Sequence, residues 1–540
     1  MKAQCVPQNQ IPHTTRLFSD FLACSPSVRQ FYPRSPHFGD WFRAEATQIR
    51  YDVDRRRQVA DILERQNRNW GASPKTLHNI ARLRGGACTL VTGQQVGLFG
   101  GPLFSIFKAL TAVKLADEAS SAGVECVPVF WLATQDHDLE EIHRVAMPRQ
   151  DFSLQTLTAT TQAGTDAPVG SIAFGGEIEP LVNQAAELLG DSEATTFLRE
   201  SYRPGETFGS AFARLFTRLF ANWGVILLDA ADPAVNHVAQ PIYQAAVEHA
   251  VDLNQKLLAR DRELEQAGYH QQVKVTPAST LLFALQNGAR TPVHQLIRNG
   301  QALPDFSIGQ ERISRQELLR RIAARPEDFS ANVLLRPIKQ DYLLPTLAYT
   351  GGAAEVAYFA QIDPLYRFYQ RPAPVIWPRA GFTILDKEAS ESLQRHALGL
   401  EDCFRGKNHV VRKILLAEPG RAGVLLAGMR QRIDQEFDEM KPSLASMDVS
   451  LGASAETIRR KLLHRVASLH SKFVSFEVRR NASLDREVSH LLDCCYPNSN
   501  LQERELGVHS LLARHGLSLL DTLYDCIDPE ILAHRIVRVP

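Results

Sequence analysis

The segment between Ala87 and Ala133 constrains the fold of this 540-residue chain more than any other part of it. Ala87-Cys88-Thr89-Leu90-Val91 is a short apolar run with β-branched members, the signature of a buried strand. It enters Thr92-Gly93-Gln94-Gln95-Val96-Gly97-Leu98-Phe99-Gly100-Gly101-Pro102, and a helix is predicted from Leu103 to about Ser120. After a turn at Gly123, residues 126–133 form a second buried run. Strand, glycine-rich loop, helix and strand make a βαβ unit, which demands a parallel sheet with helices on its faces.

The rest of the chain is read around that unit. The first 85 residues carry a helical pattern, and residues 151–179 suggest small β-structure inserted into the core. Gly224-Val225-Ile226-Leu227-Leu228-Asp229 is a further strand, followed by a helix start at Asp232-Pro233. Mixed strands are predicted from Tyr269 to about Ile313, and two more strands at residues 333–336 and 374–378. The expected architecture is α/β: a Rossmann-like core over residues 1–384, with insertions at about 151–220 and 260–330. From 385 to 500 the pattern is helical. Apolar residues from Leu426 to Leu451, then from Ile458 to Phe476, recur every three or four positions. This spacing predicts an antiparallel coiled-coil hairpin with its turn at Gly452 and a kink or break at Pro442. Residues 501–540 are expected to return as helices to the core.

Composition excludes several classes. Sixty basic residues balance 60 acidic ones, so no whole-protein field gathers nucleic acid or an acidic membrane surface. The basic residues of the second coiled-coil arm, from Arg459 to Arg480, are interspersed with Glu456 and Glu477 and read as a solvated face. No apolar run approaches the roughly 20 residues that span a bilayer, and the first residues lack a signal core. A soluble cytoplasmic protein is expected. The eight cysteines are scattered without a Cys-x-x-Cys pair, which argues against a disulfide scaffold or a zinc site.

Three constellations are candidates for chemistry. In the loop 92–102, glycines let a backbone approach a ligand, and amides at a helix N-terminus favour a phosphate or carboxylate. Thr92, Gly93, Gln94, Gln95 and Gly97 are the candidate binding residues there; the alternative is a tight turn made for packing. Asp136-His137-Asp138 ends the second strand, where open parallel sheets bind ligands, and a carboxylate beside an imidazole can act as a general base. The alternative for this cluster is a helix cap. The third constellation joins Arg336, Lys339 and Asp341 with Gly351-Gly352, Glu355 and Tyr358. Gly351-Gly352 opens a helix and offers a second anion site, unless it is only a turn. Three adjacent ionisable residues cannot converge on one metal ion, so no metal site is expected.

Several of these stretches occur together in a known family. The run 91–102 with Lys108 and Lys114, Phe130-Trp131-Leu132-Ala133 leading into Asp136-His137-Asp138, Leu335-Arg336-Pro337 with Gln340-Asp341-Tyr342, and Tyr358-Phe359-Ala360-Gln361 resemble the cysteine-adding enzymes of bacillithiol biosynthesis, a cysteine ligase family. Leu501-Gln502-Glu503-Arg504 is similar to that family's return from coiled coil to core. The resemblance implies a Rossmann-like core with insertions similar to those of class I aminoacyl-tRNA synthetases, and a coiled coil that makes a homodimer. It also implies joining L-cysteine to the amine of glucosaminyl-malate. Neither His-x-Gly-His nor Lys-Met-Ser-Lys-Ser, the synthetase signatures for ATP, is present.

An amide does not form in water at useful yield from a free carboxylate, so ATP, with Mg2+ as a companion, is the expected activator. Asp136, His137 or Glu355 would take the amine's proton, and Arg336, Arg379 or Lys339 would face developing negative charge. The rival reading is a non-catalytic protein that holds a nucleotide or the thiol and recruits partners through its coiled coil. The lack of both signatures favours it.

Overall fold

A computed structural model describes residues 4–34, 41–149, 153–161, 166–417 and 421–539. The insertion expected at 151–220 begins on residues outside this set, as do the side chains of Glu477 and Arg479. The described residues divide into two compact units, one containing Leu154–Phe382, Glu503–Val537 and most residues before 150, the other Thr383–Gln502.

The first unit is built on five parallel strands: β1 (Cys88–Gln94), β2 (Cys126–Leu132), β3 (Ile226–Asp229), β4 (Thr346–Gly351) and β5 (Val375–Pro378), ordered β5-β4-β1-β2-β3. Every residue of β2 is buried, as covering both faces of a parallel sheet requires. Register places Val91 opposite Val129 on one side and Tyr349 on the other. The helix α1 (Phe104–Ser121) is buried on nearly all sides, which explains a sequence too uniformly apolar for an amphipathic helix. This strand order reverses between β1 and β4, and in open sheets ligands lie beyond the carboxyl ends of the strands at that reversal.

Two expectations about this unit are corrected. Residues 333–336 are not a strand. Asn332 Oδ1 accepts the amides of Leu334 and Leu335, both at 3.0 Å, and Pro337 occupies the first turn of the helix α2 (Arg336–Leu343). The strand in this region is β4, whose residues 346–351 are all buried. The chain's end is not wholly helical either, because His534–Arg538 pairs antiparallel with Gln4–Val6. The insertion between β3 and α2 forms an antiparallel sheet of Ser279–Gln286, Ala289–Arg298, Gln301–Ile308 and Glu311–Ser314, closed by Phe329–Ala331. Beyond β4 the chain forms the helix α3 (Ala353–Phe368).

In the second unit, α4 (Arg421–Met447) and α5 (Val449–Arg480) form the predicted hairpin. Arg459 ion-pairs with Asp434 (2.8 Å) and Asp438 (2.7 Å), and Lys441 with Glu456 (2.7 Å), so the arms are antiparallel and part of the expected solvated face is paired. The turn is not at Gly452 but at Asp448, whose carboxylate accepts the amide of Ser450 (2.6 Å). Gly452 serves close approach: a Cβ there would lie 2.9 Å from the Ala445 Cβ. Pro442 does not end α4. No helix among the described residues is long and apolar enough to cross a membrane.

Candidate active site

The topological reversal brings the ends of β1 and β4 together, and with them two segments about 260 residues apart in sequence. Between them lies a cavity of about 350 Å3 whose lining includes Gln94, Lys108, Arg336, Tyr358, Arg379 and Arg504. Lys108 reaches it from α1. Its Nζ donates to the Gly93 carbonyl (2.9 Å) and Gln94 Oε1 (2.8 Å) and ion-pairs with Glu355 Oε2 at 2.6 Å. Glu355 also accepts from the Tyr349 hydroxyl (2.5 Å) and the Gly352 amide (2.7 Å). Burial pushes the Glu355 carboxyl up, but Lys108, Tyr349 and Gly352 outweigh it and hold the group below the ordinary carboxylate range. Burial lowers Lys108, against the pull of Glu355.

Arg336, in the first turn of α2, is different. Its guanidinium donates to the hydroxyls of Tyr358 and Tyr349 and to Gln340 Oε1 (3.3 Å). Burial opposes its charge, yet Tyr358, Tyr349 and Glu355 prevail and it stays protonated more firmly than a free arginine. Arg379 pairs with Glu503 at 2.5 Å, both side chains being under 10% exposed. Arg504, at the rim, lies 5.8 Å from the Phe104 ring. Among the described residues neither Arg336 nor Arg504 is in an ion pair, so the cavity keeps positive charge that its own carboxylates do not neutralise. Such a chamber suits a polyanion.

A second cavity of about 450 Å3 shares Trp131, Ala133 and Arg336 with the first. Lys339 forms part of its wall, donating to Asn236 Oδ1 (2.9 Å), Gln135 Oε1 (3.2 Å) and the Ala230 carbonyl (3.3 Å). Burial pushes this ammonium down to about 7, with Asp229 opposing. Asp136 lines the same cavity; its Oδ2 accepts from Gln95 Nε2 (2.8 Å) and its Oδ1 from the His137 amide (2.8 Å). Arg290 approaches Asp136 Oδ1 at 3.5 Å and His137 Nδ1 at 3.1 Å. Asp138 caps the short helix Leu139–Ile142 through the Glu141 amide (3.2 Å), the capping role weighed for this cluster.

Of the residues singled out in the sequence, Gly93, Gln94, Gln95, Arg336, Gly352, Glu355, Tyr358 and Arg379 line the first cavity and Asp136 and Lys339 the second. His137 lines an adjacent cleft with Asp136 and Glu141. The others face elsewhere. Thr92 is buried and donates to the Thr350 carbonyl (2.8 Å) across the sheet. Gly351 belongs to β4, and a Cβ on it would lie 2.8 Å from the Glu355 Cβ. Asp341 turns into the core, accepting from Tyr366 (2.5 Å) and Gln340 (3.0 Å), and burial pushes its carboxyl up to about 6.

Both expected amide cradles are also spent at least in part internally. The amides of Gly97 and Gly101 bond to the carbonyls of Gln95 and Leu98, both at 3.0 Å, and Gly100 donates to the Tyr202 hydroxyl (3.1 Å). Gly100 and Gly101 take positive φ, which closes the loop on itself. At the second cradle, the Glu355 carboxylate occupies the α3 N-terminus. The positive charge offered to an anion comes from side chains. Lys108 had a sequence signal, as the one charged side chain between Phe104 and Val113; Arg290 and Glu503 had none as members of this site.

Residues 1–380 match the family described as "Bacillithiol biosynthesis BshC, N-terminal Rossmann-like domain". Residues 382–539 match its "C-terminal coiled-coil domain". The chain belongs to the BshC family. Among BshC relatives, one from Koribacter versatilis is 43% identical over 543 residues, covering 100% of both chains. One from Solibacter usitatus is 35% identical with the same coverage. One from Salinibacter ruber is 31% identical, covering 97% of this chain and 96% of its own. Each carries the name "Putative cysteine ligase BshC". Together they support the expected family and the expected architecture of Rossmann-like core plus coiled coil.

Proposed function

We propose that this protein joins the carboxyl group of L-cysteine to the amine of glucosaminyl-malate in the cytoplasm, with ATP activating the carboxylate. The observation that carries this reading is the positively charged cavity at the reversal of the sheet, in a chain that aligns end to end with relatives named as cysteine ligases. ATP, with Mg2+, would supply a phosphate leaving group on the cysteine carboxyl carbon. Lys108, Arg336, Arg379 and Arg504 form the surface for phosphates or for the malyl carboxylates.

The attacking amine must be neutral, and one of its two protons must leave as the C–N bond forms and the C–O bond to phosphate breaks. Asp136 is the carboxylate we assign to receive it, because Glu355 is held at 2.6 Å by Lys108 whereas Arg290 stands 3.5 Å from Asp136. Purified protein given L-cysteine, glucosaminyl-malate and ATP should yield the thiol with stoichiometric nucleotide turnover. Absence of both refutes the reading. Deleting the gene should make the malyl-glucosamine precursor accumulate; unchanged thiol would instead support a non-catalytic binder.

The protein acts as a homodimer in this reading, assembled through the coiled coil. Leu462, Leu469 and Phe476 on α5 are 41%, 52% and 54% exposed, a stripe of large apolar groups at helical spacing that a second copy would cover. The double variant Leu462→Asp, Leu469→Asp places charges in that seam and should convert the dimer to a monomer in light scattering at micromolar concentration. A monomeric unaltered protein refutes the dimer.

A further inference from the structure

Arg290 comes from the inserted antiparallel sheet, near the start of the strand Ala289–Arg298, yet its guanidinium ends at the strand-end cluster of the parallel sheet. Its position is determined on every side. The group lies 3.9 Å over the Phe283 ring, Nε donates to Ser330 Oγ (3.0 Å), and Nη2 donates to the Ala331 carbonyl (2.9 Å). Its backbone amide is held by the Asp166 carbonyl (2.8 Å). What remains is Nη1, 3.1 Å from His137 Nδ1 and 3.5 Å from Asp136 Oδ1.

A guanidinium has five N–H donors and no acceptor, and it does not deprotonate in proteins. His137 Nδ1 facing Nη1 therefore accepts, and in the neutral ring the proton sits on Nε2. Asp136 is the weaker partner for Nδ1: its Oδ1 stands 3.6 Å from the ring nitrogen, against 3.1 Å for Arg290 Nη1, and already takes the His137 amide, while its Oδ2 takes Gln95. The ring is further held 5.8 Å from Phe283, the residue on which Arg290 stacks.

We propose that Arg290 is a positioning residue that holds His137 in its Nε2–H form, so that His137 donates a hydrogen bond to an oxygen gaining negative charge and is not the base that removes the amine's proton. The consequence for the reaction rests on the ligase reading above. The imidazole then neither gains nor loses a proton: Nε2–H donates to the carbonyl oxygen of the cysteine acyl group as the amine adds, and the amine's proton goes to Asp136. The one unprotonated ring nitrogen is already engaged, so the ring has no second lone pair for base chemistry.

The tautomer is measured by long-range 1H–15N correlation on full-length protein labelled with 15N-histidine, with the His137 signals assigned by their loss in His137→Asn. The expected result is an unprotonated Nδ1 and a protonated Nε2 at neutral pH, giving way to mixed tautomers in Arg290→Met and restored in part by Arg290→Lys. A protonated Nδ1 in the unaltered protein overturns the proposal even if every Arg290 variant fails to fold. An unchanged tautomer in folded Arg290→Met overturns it as well.

Activity supplies the second readout. His137→Gln keeps an N–H near the Nε2 position and should stay within about tenfold of the unaltered rate, whereas His137→Ala should lose about 10²–10³-fold, as for removal of one oxyanion donor. Equal losses of 10²–10⁴-fold in both would indicate a base and refute the donor role. If no ligase activity is found at all, the tautomer measurement still decides whether Arg290 positions His137.

Discussion

Asp136→Asn is expected to slow amide formation by about 10²–10⁴-fold, the range for losing a positioned proton acceptor, while the protein remains folded. The substitution preserves size, and an asparagine oxygen still accepts from Gln95 Nε2 or the His137 amide, the two short bonds that hold the side chain now. What disappears is a carboxylate at the place where the two cavities approach each other beside Ala133. Asp136 borders the second cavity, while Glu355 in the first is committed to Lys108, Tyr349 and the Gly352 amide. Single-turnover rates at saturating substrates, together with a thermal melt, separate the two effects. Retention of full activity would transfer the proton acceptor's role away from Asp136.

The largest effect on stability is expected from Glu503→Gln, at about 3–5 kcal/mol, the cost of breaking a buried ion pair by removing one partner. Glu503 and Arg379 are 5% and 8% exposed, and two bonds of 2.5 and 3.0 Å join them. Glutamine fills the space but leaves the Arg379 guanidinium buried without its counter-charge. Burial alone would raise the Glu503 carboxyl; Arg379 overcomes it and holds the group below the ordinary carboxylate value of 4.5. A carboxylate whose folded-state pKa is depressed stabilises the fold fully above its unfolded value, and this contribution is lost as pH falls through the folded value. Urea unfolding at pH 7 and at pH 4 should therefore show a steeper acid loss for the unaltered protein than for Glu503→Gln. A loss of unfolding free energy below about 1 kcal/mol at pH 7 would mean that Arg379 finds another anion or solvent.

Much of the frame could be read from local pattern. The unit from Ala87 to Ala133, the strand before Asp229 and the strand near residues 375–378 are short buried runs between turn residues, and their burial on both faces shows as continuous apolar sequence. The coiled coil is legible for the same kind of reason, since a spacing of three and four residues places side chains on one helix face. Val333-Leu334-Leu335 shows where such reading stops. Apolar character reports burial but not conformation, and here the Asn332 cap and Pro337 make the run a helix entrance while the strand begins only at Thr346.

The site divides along the same line. Sequence by itself determined that glycine-rich segments, a strand-end Asp136-His137 pair and the cluster around Arg336 and Glu355 exist, and what family they belong to. Tertiary structure alone decided which of them face a cavity. The amides of Gly97, Gly101 and Gly100 are consumed by Gln95, Leu98 and Tyr202, the helix N-terminus at Gly352 is filled by Glu355, and Asp341 is turned inward to Tyr366. The positive charge left unpaired at the reversal comes from Arg336 and Arg504, beside the paired Lys108 and Arg379, all from separate stretches of chain. A motif records which groups are near in sequence. Whether a donor is free for a ligand depends on acceptors that folding brings from far away, as with Arg290 and His137, 153 residues apart, and no local pattern carries that information.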